Sequence, residues 1–432
     1  MAVAQKQVKK WLTLCILILG GGTIFKLSSL KDAFYVPMQK YFHLSHTQIG
    51  LALSIYAIIQ TFGYVASIYI TDRFSKRKLI PIGLIGVGAS GIYLSTLPSF
   101  YGILASWGVM ALFAEITFWP VLIKTVKLLG DSDEQGRMFG FLEAGRGVVD
   151  TIVAFSALGI FIWLGSESLG FRAAILFFAL ITIIVGIISY FFIEDDIIET
   201  FDKGGEEISK NKVVLKGAIQ AIKTPKLWFA SFTIFCVYSV YAGLTYFIPF
   251  LEEIYGMPVA LLGVYGIINQ YGLKMIGGPI GGFLVDKKFK SATKYLRFTF
   301  LLSIIAMIIF IMLPHGKMNI YIGMIATLGF GSIVFTQRAV FFAPLDEIDI
   351  PKEISGASVS VACLVGYAPS IFAFAMYGNI LDHNPGITGY RYVFLIMIAF
   401  AVLGFIISNY LVKSLKKKKQ TNRYLEDNQM NA

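Results

Sequence analysis

The chain is short of the residue types on which most protein chemistry depends. It has 3 cysteines in 432 residues, Cys15, Cys236 and Cys363, each inside an apolar run and none in a Cys-x-x-Cys pair. An odd, scattered set of that kind builds neither a disulfide framework nor a zinc site. The 4 histidines, His43, His46, His315 and His383, sit in short polar stretches and form no His-Glu-x-x-His. No catalytic histidine or cysteine with partners is visible, so no enzyme, metal or cofactor is expected. Charge is the third shortage. Asp, Glu, Lys and Arg make up 15% of the chain, against about 25% in soluble domains.

What is present instead is apolar surface: 56% of residues are hydrophobic and the mean hydropathy is +0.71. A helix that crosses a bilayer needs about 20 mostly apolar residues. Stretches of that length fall at about 11–36, 47–71, 79–98, 101–128, 138–164 and 171–193. They resume at about 227–250, 259–285, 295–313, 318–343, 355–381 and 390–412. The expected architecture is therefore an all-α integral membrane protein of twelve transmembrane helices in two pseudo-symmetric six-helix halves. Residues 1–193 form the first half and 227–412 the second; 194–226 is a charged linker and 413–432 a basic tail. Within the linker, Val213–Ile222 suits a short amphipathic helix on the membrane surface. Lys6, Lys9 and Lys10 ahead of Trp11–Phe25 look like a secretory signal, but no small-residue cleavage pattern follows, and an uncleaved first span is expected.

The net charge of +11, 37 basic against 26 acidic residues, is read as topology. Lys6, Lys9, Lys10, Arg73, Lys76, Arg77, Lys78 and Arg137 fall on one side, with Lys287, Lys288, Lys290, Lys294, Lys352 and the tail from Lys413. The opposite loops offer little beyond Lys40, Arg172, Lys317 and Arg391. By the positive-inside rule both termini are cytoplasmic, and a plasma-membrane location is expected. The tail Lys416–Lys419 follows the last span directly, so it reads as contact with anionic lipid, and no nucleic-acid partner is expected. Gly86-Val-Gly88-Ala-Ser-Gly91 matches a dinucleotide-loop pattern but lies within the third span with no preceding strand; there it serves helix packing.

The halves repeat. Asp72 follows the second span in ITDRFSKRK, and Asp286, 214 residues on, follows the eighth in LVDKKFKSATK. The same offset of 214 relates Lys124 to Arg338 and Gln60 to Lys274. Three matches at one spacing indicate duplication.

These features resemble the major facilitator superfamily, whose loop motif runs Gly-x-x-x-Asp-Arg-x-Gly-Arg-Arg. The second copy keeps Gly282 and Asp286; the first keeps Asp72, Arg73, Lys76 and Arg77, with Ile68 and Ser75 at the glycine positions. Within the superfamily the chain is similar to the organophosphate:phosphate antiporter branch, in FKLSSLKDAFYVPMQ, in FWPVLIKTV and in DSDEQGRMFGFLEAGRG. Arg146 stands where that branch has a substrate-facing histidine, and Tyr241 or a neighbour where it has a second phosphate-binding arginine. The resemblance implies alternating access, a small-molecule substrate and a monomer.

Charges inside spans are costly and normally face a cavity or a partner. Lys26 lies about 15 residues into the first span, roughly 22 Å along it. Arg146 lies in the fifth span with Glu143 and Asp150 at i−3 and i+4, on one helical face. These three either hold the helix to its neighbours or have Arg146 bind an anion while a carboxylate takes a coupling proton. Lys274 follows Asn269 and Gln270 in the eighth span; Lys124 and Arg338 lie nearer the cytoplasmic ends. Glu115, ahead of Trp119-Pro120, is the most isolated acid. Candidate substrate-binding residues are thus Lys26, Lys124, Arg146, Lys274 and Arg338, with Tyr56, Gln60, Trp119, Tyr241 and Gln270 as polar or aromatic walls. Glu115, Glu143 and Asp150 are the candidate proton carriers, and Asp72, Arg73, Asp286 and Lys287 the candidate gates. Each has a structural alternative: packing for the aromatics, charge balance or headgroup contact for the ions.

The surplus of intramembrane bases leads to a secondary active transporter for a small anionic metabolite, an organophosphate or other organic anion, by exchange or proton coupling. The alternative is a proton-coupled carrier of a neutral solute such as a sugar or drug, the bases serving only charge balance.

Overall fold

In a computed structural model, residues 2–129, 135–193, 219–348 and 355–430 are described, a few of them, Asp72 and Arg73 included, by backbone alone. None of these residues forms a strand. Among them 10 helices are long and apolar enough to cross a bilayer, from Lys76–Leu94 to Ile387–Lys416. The first span (Ala2–Thr23, continued by Lys31–Phe42) and the second (His46–Arg73) complete the twelve. In lipid a spanning segment must satisfy its own backbone, and a helix does so.

Helix starts follow side-chain chemistry. Ser45 accepts from Gln48 N–H while Gln48 accepts from Ser45 N–H, closing a capping box at the second span. Ser75, Ser291 and Asn319 likewise accept amides of the first turns at spans three, nine and ten.

The spans are interrupted where the sequence carries polar residues. The first span breaks into turns over residues 24–30. Glycines 20–22 and Thr23, whose hydroxyl donates to the Leu19 carbonyl at 2.9 Å, weaken the helix there. The fourth span widens to a π-helix over Leu112–Phe118, around Glu115. The eighth does so twice, over Ile268–Gly272 and Leu284–Phe289. Such widenings concentrate at functional sites. The linker helix expected over Val213–Ile222 falls largely outside the described residues.

The chain divides into two compact units. Unit 1 holds Met1–Thr200 with Ile248–Met275 and Phe374–His383. Its core includes Phe34 at ring distances of 5.5, 6.0 and 6.2 Å from Phe161, Phe171 and Phe178. Unit 2 holds Phe201–Phe247, Ile276–Ala373 and Asn384–Ala432. There Phe247 meets Phe310, Phe330 and Phe394 at 5.5–5.9 Å.

Candidate functional site

In unit 1 the break in the first span brings Lys26 into the protein interior, 2% exposed. Its Nζ lies 2.6 Å from Asp150 Oδ1 and 3.7 Å from the centre of the Tyr271 ring. The Tyr271 hydroxyl donates to Asp32 Oδ2 at 3.4 Å, and Lys31 pairs with Asp32. Two buried bases and two buried acids are thereby held together, with Tyr271 between them. The sequence placed Asp150 on the face of Arg146; packing against the first span gives it Lys26 instead. Lys31, which at a helix end would be expected to reach for the interface, is 8% exposed and paired.

Arg146 is fastened on three sides. Its Nε donates to the Gly21 carbonyl at 3.1 Å, its Nη1 reaches Glu143 Oε1 at 2.7 Å, and its guanidinium lies 4.5 Å from the Trp119 ring. A Cβ at Gly21 would sit 2.7 Å from Arg146 Cδ, so glycine at that position lets the arginine lie across the first span. Glu143 is the exposed member, with 56% of its side chain accessible. Glu115, 4% exposed, accepts from the Tyr56 hydroxyl at 2.9 Å.

The remaining unit 1 candidates lie on the same spans. Gln270 is buried, Lys124 and Gln60 are half-buried, and Lys274 is exposed just past the π-helix. Asn269, 0% exposed, has neither amide atom hydrogen-bonded. Buried polar groups are normally satisfied, and such orphans call for a role.

In unit 2, Arg338 ends the tenth span among aromatic rings. Its guanidinium lies 4.0 Å from the Tyr241 ring and 5.6 Å from Tyr238, and Tyr238 packs edge-on against Tyr367 at 5.0 Å. Among the described residues Arg338 has no carboxylate partner. Next to it Gln337, fully buried, donates to Ser303 at 3.3 Å and leaves its carbonyl oxygen unpaired. The Glu347 carboxylate caps the ninth span, accepting from the Ser291 hydroxyl at 2.9 Å and the Thr293 amide at 3.4 Å. Asp286 and Lys287 are exposed on the second π-helix of span eight. The side chains of Asp72 and Arg73 lie outside the described ones.

Sequence reasoning missed two acids. Asp32 carries the signal of any charge within an apolar span, between the bases Lys26 and Lys31 and the rest of the first span. Asp382 accepts from the His46 and Thr47 amides at 3.0 and 2.8 Å, so it caps the second span from more than 330 residues away. His46 in turn bonds the Tyr35 hydroxyl at 2.8 Å and lies 3.3 Å from Glu253. No local pattern announces that arrangement.

Membrane-length helices with interior charges, several of them broken or widened at polar positions, are the build of a membrane carrier. The comparisons agree: the sequence profile of the Major Facilitator Superfamily matches residues 27–374, and the chain belongs to that superfamily. It is 51% identical over 414 residues to "Inner membrane protein YihN" of Escherichia coli (strain K12), covering 95% of this chain and 97% of the relative. "Inner membrane protein YqcE" of the same organism is 28% identical over 401 residues, 92% of this chain and 93% of that one. Among solved structures, a bacterial homologue of the human lysosomal transporter Spinster superposes with a TM-score of 0.73 at 17% identity, covering 95% of this chain and 98% of that one. The protein is thus a membrane protein of the secondary-transporter class, acting on a small-molecule substrate.

Proposed function

We propose that the protein carries a small organic anion, an organophosphate or a chemically similar metabolite, as a monomer working by alternating access. The observation that supports this reading is Arg338. A guanidinium against tyrosine rings, with one N–H bonded to the Tyr241 hydroxyl, keeps its charge and has further N–H donors for a phosphate or carboxylate. With no acid among the described residues to neutralise it, it calls for an anion from elsewhere. Tyr241 belongs to the same clamp.

In unit 1 the charges are matched, which suits coupling better than binding. Protonation of Asp150 would release Lys26, and protonation of Glu143 would release Arg146; Glu115, held by Tyr56, is the third carboxylate able to take the proton. Gln60, Trp119, Gln270, Lys124 and Lys274 then serve as walls and guides, and Asp72–Arg73 with Asp286–Lys287 as gates. With the basic loops inside, both termini face the cytoplasm.

The test is uptake by proteoliposomes, with ligand-induced thermal stabilisation, across phosphorylated, carboxylated and neutral solutes. Anions stabilise and are taken up, and Arg338→Gln abolishes both while leaving the ligand-free melting temperature within a few degrees. Uptake restricted to neutral or cationic solutes, or an Arg338→Gln variant that moves anions normally, overturns the reading.

A further inference from the structure

The transport residues leave unused the surface where spans three and six meet. On the third span Lys78, Pro81 and Ile85 recur at helical spacing and share a face; Ile187, Tyr190 and Phe191 do so on the sixth. Together they line an open groove of about 390 Å³. Apolar walls alone say only that lipid tails touch them, as they touch any bilayer-facing surface.

The mouth of the groove carries the information. Lys78 is exposed there and has no carboxylate partner among the described residues. Arg77 is fastened beside it: its Nε donates to the Tyr190 carbonyl at 3.2 Å, and its guanidinium lies 5.3 Å from the Tyr190 ring. The bond ties the base to the rim instead of letting it swing into water. Pro81, inside the helix, has no N–H to give the Arg77 carbonyl, so an acceptor at the same rim loses its usual helical donor. Two positive charges with no carboxylate partner among the described residues thus stand at the end of an apolar slot that runs into the membrane.

We infer that this groove binds one anionic phospholipid, its phosphate against Lys78 and Arg77 and an acyl chain along Ile85, Ile187 and Phe191. A free anion gains nothing from the apolar walls, and a zwitterionic lipid brings no net charge to answer the two bases. Basic pockets between membrane helices recognise anionic headgroups in this way.

The test uses the purified full-length protein in detergent, titrated separately with phosphatidylglycerol and phosphatidylcholine, with bound lipid counted by native mass spectrometry. Phosphatidylglycerol is expected to bind more tightly. Lys78→Gln should weaken it about fivefold, the equivalent of about 1 kcal/mol for one base near an anionic surface, while leaving phosphatidylcholine unchanged. Ile85→Trp, which fills the groove, should remove the preference; if that variant does not fold, Ile187→Trp fills it from the opposite wall. Equal binding of the two lipids overturns the inference. So does a Lys78→Gln variant with unchanged preference, or a folded, groove-filled variant that binds phosphatidylglycerol like the wild type.

Discussion

Replacing Asp150 by Asn leaves the Lys26 ammonium with no anion at contact distance among the described residues. Lys26 is 2% exposed and its Nζ is 2.6 Å from the lost carboxylate. Taking one member from a buried pair destabilises by about 3–5 kcal/mol. Two features place the expected loss at the lower end: the Tyr271 ring 3.7 Å away, and Asp32 on the far side of that tyrosine. The Arg146–Glu143 pair supplies the contrast. The two contacts are nearly the same length, 2.7 against 2.6 Å, but 56% of the Glu143 side chain is exposed. The exposed Glu143 end brings this pair toward the about 0–1 kcal/mol of solvent-screened pairs, and the Arg146 side chain, 10% exposed, keeps the Gly21 carbonyl and the Trp119 ring, so Glu143→Gln should change stability far less than Asp150→Asn. A third variant separates a bad single change from an indispensable pair. Replacing both partners by apolar residues, Lys26→Met with Asp150→Leu, leaves no orphan charge and should recover stability to near wild type. Thermal unfolding of the purified protein in detergent reads all three. Asp150→Asn should melt several degrees below wild type, and Glu143→Gln and the double variant close to it. The reasoning fails if the double variant melts as low as Asp150→Asn, or if Glu143→Gln falls as far.

Two further outcomes follow from the geometry. A Cβ on Gly266 would lie 1.8 Å from the Asp32 carbonyl oxygen, a backbone atom that cannot rotate away. Gly266→Ala should therefore lower the melting temperature and yield of folded protein sharply, whereas Gly278→Ala, with nothing within 4 Å, should be neutral or gain up to about 1 kcal/mol of helix propensity. His315, between spans nine and ten, is 5% exposed; burial lowers its pKa from 6.5, with a bond to the Phe310 carbonyl opposing and Arg391 assisting. The folded state then holds fewer protons than the unfolded one. Its contribution is fully present above pH 6.5 and is lost as pH falls through the lowered value. Melting temperature against pH should show that acid-side decline, and it should be shallower in His315→Gln.

Much of the fold was legible because its determinants are local. Each span must be apolar over its own length, and the starts of spans two, three, nine and ten are marked by a Ser or Asn whose oxygen reaches an amide two or three residues on. Glu115 and Asn269–Gln270 could be singled out because polarity in an apolar run is visible without knowing the neighbours. That these positions are also where the helices widen to π geometry was not visible. The widening depends on which side chains pack against the turn.

The sequence by itself determined that this is a twelve-span membrane protein with more interior bases than acids. Tertiary structure alone decided how those charges are spent. Asp150 stands four residues from Arg146 yet pairs with Lys26, because the broken first span presses its lysine into the fifth. Among the described residues Arg338 keeps no acid, since Tyr238 and Tyr241 from the seventh span and Tyr367 from the eleventh gather rings about it. Lys78 and Tyr190 meet at a groove though 112 residues separate them. Periodicity along one helix states which residues share a face; only the packing of helices states what that face meets.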